Sequence, residues 1–500
     1  MSVRYHRLPQ PSSPMNPPTF IRAALCFALI FSGLAPPAAR PALPDTPDTA
    51  PNSREMDLRL ADAVRLGLAH NSDIQAARLE WTSQKTVSNT AYDTLSPKLV
   101  INGSHTVSQN ADRTQRTEIS PTATLQSEYG TQFNLSLNNQ ITQDERGVAS
   151  RGDGASFTIV QPLMRGARRD IVTAPQRIAQ ITDEINQLNL KATISDVITQ
   201  IILAWHEVLR AQERSRLAHE ALSHSHRALS DDLYSAASGY WLETDFTNFS
   251  QAESETASRE LNLEEAALRL DASRQQLLRL LALDPDTPIH AVDSLECQPV
   301  KTSLAKAMTT AIEHQPEYLI QRLNSNRAAI ELAVARDQRQ WDVSLVGGVS
   351  QTRTRTPGAS TSQNRDNRAA IRIDIPLGDI APRQSETKAR IKANSQDNQL
   401  TDARQALESN LSSVLRELDT RWRQYETANR ALNSFRQKLH AEHERTRHLP
   451  PDSFRTFALI AKLHHAESAR VDSLVAYRNA VATLDRMTGT TLESWDIKLE

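Results

Sequence analysis

The stretch LADAVRLGLAHNSD at residues 60–73 recurs as LAKAMTTAIEHQPE at residues 304–317. Both copies open with Leu-Ala-x-Ala and close with a histidine, an amide residue, a variable residue and an acidic residue, at identical spacing. Agreement at one offset continues without a gap to Gly103 and Gly347. Such self-similarity is the signature of a repeated structural unit. The predicted units are a first repeat at 56–283, an inter-repeat linker at 284–301 and a second repeat at 302–489.

Each repeat is predicted to begin with a helix, which covers residues 57–94 in the first repeat and 302–338 in the second. The apolar spacing in both is helical. Asp57 and Thr302 are the predicted N-caps.

Strands are expected next, because apolar and polar residues alternate. The two strand regions lie within residues 98–163 and 341–377. Residues 110–152 are polar but contain a second alternating segment at 133–137. This segment is either an additional hairpin of the sheet or part of an external loop.

Each repeat is expected to end in a long antiparallel helical hairpin. Apolar residues step by three and four along both regions, and prolines or glycines occur only near the turns. The long helices would have roughly 65 residues and a length of about 100 Å, so they should project as coiled coils. The predicted hairpins are residues 175–283 with a tip at 238–246, and residues 383–489 with a tip at 449–453.

The N-terminus resembles a secretory signal peptide. Arg22 precedes an apolar run at residues 23–34, which is too short to span a bilayer as a helix. We assign residues 1–39 to the signal peptide, 40–55 to a disordered linker and 490–500 to a C-terminal tail. Removal of the leader leaves Cys297 alone, so no internal disulfide is expected.

Composition and motifs argue against an enzyme and against a nucleic-acid-binding protein. The formal net charge is -2, which gives no general attraction to nucleic acid. The chain has no phosphate-binding loop, no Cys-x-x-Cys and no Gly-x-Ser-x-Gly. We expect no catalytic residues, no cofactor and no metal site. The histidines that could bind a metal if neighbouring tips met are interpreted as scattered surface residues: His224, His226, His464 and His465.

The combination of exported strands and very long hairpins favours a membrane channel. Ile371, Ile373 and Ile375 point to one side of a strand, while Arg372 and Asp374 point to the other. A closed barrel with a lipid-facing apolar surface and a polar lumen satisfies this pattern. A few strands cannot close a barrel alone, so several protomers must contribute. A soluble sandwich would show the same alternation.

The chain resembles the TolC-like outer-membrane efflux proteins over about residues 56–490. The residues that carry the resemblance are the duplicated openings, Gln161-Pro162-Leu163-Met164-Arg165-Gly166, Ile375-Pro376-Leu377-Gly378, and the closing segment at 481–490. The resemblance implies a mainly α-helical homotrimer with a shared β-barrel in outer-membrane lipid and a periplasmic helical tunnel. It also implies an export role in tripartite efflux or type I secretion, with a periplasmic adaptor and an inner-membrane pump of RND or ABC type as partners. The alternative is a periplasmic coiled-coil scaffold or adhesin without a pore.

Three groups of residues are the candidate functional positions. The tip of the first hairpin, which the resemblance assigns to adaptor contact, contains Gly239, Tyr240, Trp241, Leu242, Thr244 and Asp245. An acidic gate facing the lumen would use Glu442 or Glu444, for which a solvated helix face is the alternative. The transitions between barrel and helices are assigned to Pro97, Pro162 and Pro376. Trp341 takes the place of Pro97 in the second repeat, where an aromatic residue could anchor at a membrane interface.

Overall fold

The computed structural model describes residues 56–109, 113–145, 147–237, 243–293, 297–375, 377–378, 380–446 and 453–497. These residues lie in one compact unit, residues 53–500. The predicted signal peptide and the disordered linker fall outside the described residues. So do Pro376 and most of both hairpin tips.

In the described part of the first repeat there are five strands, all before the hairpin, and five α-helices. Its elements, in chain order, are β1 (Met56–Leu58), α1 (Leu60–His70), α2 (Ser72–Tyr92), a 3-10 turn (Asp93–Leu95), β2 (Lys98–Gln109), β3 (Arg113–Gln126), β4 (Gln132–Gln143), β5 (Ala149–Pro162), α3 (Arg169–Val172), α4 (Ala174–Ala237) and α5 (Glu243–Leu281).

A short strand in the linker and the elements of the second repeat follow. They are β6 (Ile289–Ala291), α6 (Leu304–His314), α7 (Pro316–Asp337), β7 (Asp342–Arg355), β8 (Ser362–Asp374), α8 (Ala381–Thr446), α9 (Ser453–Thr488) and α10 (Thr491–Ser494).

The single helix predicted at the start of the first repeat is wrong, because the chain breaks there at Asn71. The side chain of Asn71 accepts hydrogen bonds from the backbone N–H groups of Asp73 and Ile74, at 2.9 and 3.3 Å. Its amide nitrogen donates to the Leu280 carbonyl at 2.8 Å. An N-cap of this kind starts a new helix. Asp57 is not an N-cap, because it lies within β1.

The second repeat breaks at the equivalent residue, Gln315. Its side chain accepts a hydrogen bond from the Tyr318 N–H at 2.6 Å, and Pro316 occupies the first turn of α7. Ser303 rather than Thr302 caps α6, accepting from the Lys306 N–H at 3.3 Å. The amide residue shared by both repeat motifs therefore ends one helix and caps the next.

The linker contributes to the fold through β6, which pairs in parallel with β1. Met56 lies opposite Ile289, and Leu58 lies opposite Ala291. This small ladder fixes the start of the first repeat to the segment between the repeats.

The main sheet has six antiparallel strands in the order β2-β3-β4-β5-β7-β8. The first repeat supplies four strands and the second supplies two. The question left open for residues 110–152 is answered by β3 and β4, which are full strands of this sheet.

The hairpins pair α4 with α5 and α8 with α9. With 64 and 66 residues, α4 and α8 are each about 96–99 Å long. Because α4 also packs against α9, the two hairpins are joined side by side. One apolar core surrounds the fully buried Trp205 of α4, and a second surrounds Tyr477 of α9. Among the helices that the structure describes, none is both long enough and apolar enough to cross a membrane.

Candidate functional site

The six-stranded sheet has one apolar face. Residues that lie opposite each other in antiparallel strands share a face of the sheet. One such row runs from Leu99 through Ala123, Leu135 and Phe157 to Val349. Neighbouring rows of the same face add further apolar pairs, namely Leu125 with Phe133, Phe133 with Ile159, Leu345 with Ile371, and Val343 with Ile373.

The opposite face is polar. A row of this face contains Thr122, Ser136, Ser156, Ser350 and Asp366, each paired with the next across the sheet. In β8, Arg372 lies opposite Ser344, while Ile371 and Ile373 lie opposite Leu345 and Val343. The alternation predicted for this strand is thereby confirmed.

The apolar face is exposed along its length. Ten of its larger side chains are between 40% and 68% exposed, namely Leu99, Ile101, Ile119, Leu135, Leu137, Phe157, Leu345, Val349, Ile371 and Ile373. A contiguous apolar surface of this extent marks contact with lipid or with another protein. The face is therefore a candidate interaction surface.

Both edges of the sheet lack a partner strand within the described chain. The edge strands are β2 and β8, and nearly all of their side chains are exposed. Six antiparallel strands give the two edges opposite directions. Edge β2 of one copy is consequently oriented to pair in antiparallel fashion with β8 of another.

The sheet is fixed to the helices at one end by a small polar junction. The Arg165 guanidinium contacts the Asp342 carboxylate at 2.6 Å, and the Gly166 N–H donates to Asp337 Oδ2 at 2.8 Å. Pro162 is the last residue of β5 and Pro97 directly precedes β2, so both lie at this end. Trp341, 53% exposed, directly precedes β7. Their roles in strand termination and anchoring stay predictions.

The acidic gate residues differ in their surroundings. Glu442 is 4% exposed, and its Oε1 accepts hydrogen bonds from the Nε and NH2 groups of Arg445 at 3.0 and 2.6 Å. Glu444 is exposed on α8. Only Glu444 of this pair is thus presented to solvent by a single chain.

The adaptor-contact tip is described in part. Gly239, Tyr240, Trp241 and Leu242 lie outside the described residues. Thr244 and Asp245 fall in the first turn of α5, which begins at Glu243.

The interpretation of all four histidines as scattered surface residues is wrong for His224 and His464, which lie close together. The ring centroids of His224 on α4 and His464 on α9 are 5.8 Å apart. Burial lowers the pKa of both rings, which favours the neutral form that can bind a metal. His226 and His465 are exposed, as expected.

The sequence did not predict that His224 and His464 lie close together, because each long helix was paired only with the return helix of its own hairpin. The signal that could have indicated this cluster is the spacing of its residues along each helix. Glu220 and His224 are four residues apart and His464 and Glu467 three apart, so each pair lies on one face of its helix. The carboxylate and imidazole groups of Glu220, His464 and Glu467 lie within 4.8 Å of one another.

The two-faced open sheet on paired helical hairpins is the fold of the TolC-like outer-membrane channels. The chain superposes on the outer-membrane channel MtrE of Neisseria gonorrhoeae with a TM-score of 0.63 and 13% identity, covering 87% of this chain and 89% of that one. It superposes on the outer-membrane channel CmeC of Campylobacter jejuni with a TM-score of 0.62 and 13% identity, covering 86% of each chain. The resemblance seen in the sequence is confirmed at the level of the fold.

A curated relative is similar in sequence over part of its length. The cobalt-zinc-cadmium resistance protein CzcC of Cupriavidus metallidurans is 27% identical over 237 residues, which is 47% of this chain. The match spans about half of that relative, 52% of its length. No family model matches the sequence.

Proposed function

We propose that the protein is an outer-membrane channel, with its sheet in the lipid and its hairpins in the periplasm. The observation that carries this proposal is the exposed apolar face of the sheet, opposite a polar face. A membrane barrel requires an apolar exterior and a polar lumen. Strands of 12–14 residues exceed the roughly 9–11 residues that a tilted strand needs to cross a bilayer.

The barrel would be shared by a homotrimer. Three copies of a six-stranded sheet supply eighteen strands, an even number that closes with alternating directions. Barrels of about 16–18 strands enclose an aqueous channel. Each junction would join β2 of one protomer to β8 of the next, which satisfies both unpaired edges.

The channel would export cargo delivered from the inner membrane, as the outer component of a tripartite complex. The tip formed by Gly239, Tyr240, Trp241, Leu242, Thr244 and Asp245 would contact a periplasmic adaptor, and the adaptor would connect the channel to a pump of RND or ABC type. Cross-linking of a cysteine at Thr244 to an adaptor in intact cells supports this contact, and a persistent failure to cross-link contradicts it.

The protein is proposed to act as a conduit without catalysis or a cofactor. The name of the curated relative refers to cobalt, zinc and cadmium resistance, so divalent transition-metal cations are the first cargo class to test. Deletion of the gene should lower tolerance to these cations and leave tolerance to Mg²⁺ unchanged.

The first experiment measures location, oligomeric state and conductance. The protein is extracted from outer membranes in mild detergent, sized by light scattering and reconstituted in planar bilayers. A conducting trimer supports the channel. A soluble, non-conducting monomer or dimer supports the scaffold or adhesin instead.

The strand junction is tested by paired cysteines in a Cys297→Ser background. Ser104→Cys on β2 is combined in turn with Asp366→Cys, Arg368→Cys and Ala370→Cys on β8. Closure between protomers predicts covalent trimers for at least one pair. Formation of monomers only, for every pair, contradicts the shared barrel.

A further inference from the structure

The facing surfaces of α4 and α9 carry a cluster of metal-binding side chains. Glu220 and His224 lie on α4, and His464 and Glu467 lie on α9. We propose that Glu220, His464 and Glu467, with His224 beside them, form a binding site for a divalent transition-metal ion that joins the two helical hairpins of one protomer.

The spacing of the donor atoms fits a site that closes by small side-chain movements. The donors of Glu220, His464 and Glu467 lie within 4.8 Å of one another, and His464 Nδ1 is 3.6 Å from Glu467 Oε2. Metal-to-ligand distances of about 2.0–2.2 Å place tetrahedral ligand atoms about 3.3–3.6 Å apart. Each side chain therefore needs to move by about 1 Å, which side-chain rotation can provide.

The largely buried imidazole of His464 offers two ring nitrogens to a ligand. Its side chain is 11% exposed, and neither ring nitrogen has a hydrogen-bond partner among the described residues. Buried polar atoms without partners are costly and uncommon. A metal ion bound at one nitrogen would satisfy that atom.

An arginine donates a hydrogen bond to each of the two carboxylates. Arg216 donates to Glu220 Oε1 at 2.6 Å, and Arg436 donates to Glu467 Oε1 at 3.2 Å. Each carboxylate keeps a second oxygen that can face the ion. Outer hydrogen bonds of this kind orient metal ligands in known sites.

The donor set selects the class of ion. Imidazole nitrogen combined with carboxylate oxygen suits Zn²⁺, Co²⁺, Ni²⁺ and Cu²⁺, whereas Mg²⁺ and Ca²⁺ prefer sites made entirely of oxygen. A cavity of about 540 Å³ between α4, α5 and α9 is lined by His464 and by residues beside Glu220, including Leu217 and Ala221. His464 is therefore reached from this cavity.

The site would act as a clamp between the repeats. His224 lies 13 residues before the last residue of α4, Ala237, which corresponds to about 20 Å. An ion held there would restrict the separation of α4 from α9 near the hairpin ends. This inference does not rest on the channel function, because both helices belong to one chain.

The test uses the full mature protein in detergent and measures Zn²⁺ binding by calorimetry and Co²⁺ binding by visible absorption. Wild-type protein is expected to bind one Zn²⁺ per protomer and to give the intense visible bands of a tetrahedral Co²⁺ site. His464→Ala and the near-isosteric Glu467→Gln should each weaken Zn²⁺ binding by at least about tenfold. His465→Ala, which removes an exposed histidine from the same helix, should leave binding unchanged.

Three results would overturn the site. They are the absence of stoichiometric Zn²⁺ binding by the wild type, equal losses in the His464 and His465 variants, and Co²⁺ spectra typical of a hydrated octahedral ion. Circular dichroism and trimer elution confirm that each variant is folded. A conducting trimer that binds no Zn²⁺ would refute the clamp and leave the channel intact, and a non-conducting protein that binds Zn²⁺ would do the reverse.

Discussion

Gly130 lies in the turn between β3 and β4, next to the segment that connects β5 to α3. Its φ is +77°, and a Cβ built there would approach the Gly166 carbonyl oxygen to 2.1 Å. The same contact region includes the Pro162 ring, 2.9 Å away. Glycine is therefore required for two reasons, the left-handed backbone and the close approach of another backbone segment.

Gly130→Ala and Gly147→Ala form a matched pair that separates these two reasons. Gly147 has a φ of +78°, but its nearest neighbour, a side-chain nitrogen of Gln143, is 3.9 Å from a Cβ. Gly147→Ala should cost about 1 kcal/mol through backbone strain alone. Gly130→Ala should cost at least about 1 kcal/mol more, since Gly166 must move. Denaturant unfolding of both variants measures the difference, and equal losses would show that the turn yields without strain.

The buried carboxyl of Asp485 on α9 destabilises the folded protein at any pH where it is ionised. Burial raises the pKa of its carboxyl to about 6 in the folded protein, against about 3.9 in an unfolded chain. The unfolded state releases this proton first, so the group lowers stability as the pH rises from about 4 to about 6. The full cost above that range is about 3 kcal/mol at most.

Asp485→Asn should stabilise the protein at pH 8 and have little effect at pH 4. The exposed Asp402→Asn is the control, and it should change stability little at either pH. Burial lowers the pKa of His206 to about 4, which removes stability as the pH falls from about 6.5. The contribution of His206 is the same in the wild type and in Asp485→Asn, so it cancels when the stabilities of the two proteins are compared. Melting temperatures across the pH range test the prediction, and an equal gain at pH 4 and pH 8 would contradict it.

At the scale of elements, each side chain of the sheet lies on either the apolar face or the polar face, and consecutive residues alternate between the two. Leu135 and Ser136 are consecutive residues of β4, and their partners differ accordingly. Leu135 pairs with Phe157 on the apolar face, and Ser136 pairs with Ser156 on the polar face. One strand position thus separates the proposed lipid surface from the proposed lumen.

Leu135→Lys should prevent stable assembly in the outer membrane, whereas Ser136→Lys should be tolerated. A lysine on the lipid face costs up to about 4 kcal/mol, with the cost rising toward the bilayer midplane, whereas a lysine in the lumen remains in water. Quantification of folded trimer in outer-membrane fractions measures both effects. Comparable amounts of the two variants would argue that the apolar face does not contact lipid.

The sequence was sufficient for the repeats, the long hairpins and the strand alternation, because each is a periodic pattern. It failed at Asn71, where one capping side chain divides a helix whose composition is continuous. The sequence did not decide between strands and an external loop for β3 and β4, because their polar residues suit both. The meeting of His224 and His464 depends on the packing of α4 against α9, and no local pattern in either helix encodes its partner.

At the scale of the whole molecule, the two hairpins are of similar length but come from repeats that contribute unequally to the sheet. Four strands arise from the first repeat and two from the second, so the duplication is nearly exact in the helices and expanded in the strands. Three copies would therefore combine a wide eighteen-stranded barrel with twelve long helices, counting α4, α5, α8 and α9 in each. In such a trimer, the predicted acidic gate near the end of α8 would be the place where ion passage is controlled.

Glu444→Gln and Glu442→Gln test where charge acts on that passage. Glu444 is exposed two residues before the end of α8, so its neutralisation in all three protomers should reduce the preference for cations over anions. Glu442 is buried against Arg445, so its neutralisation should leave ion preference unchanged and cost about 1–3 kcal/mol of stability through a weakened charge-assisted bond. Reversal potentials in asymmetric KCl measure ion preference, and thermal unfolding measures stability. If Glu444→Gln retained the wild-type reversal potential, Glu444 would belong to an outer solvated face of α8, and the selectivity of the pore would have to come from other residues.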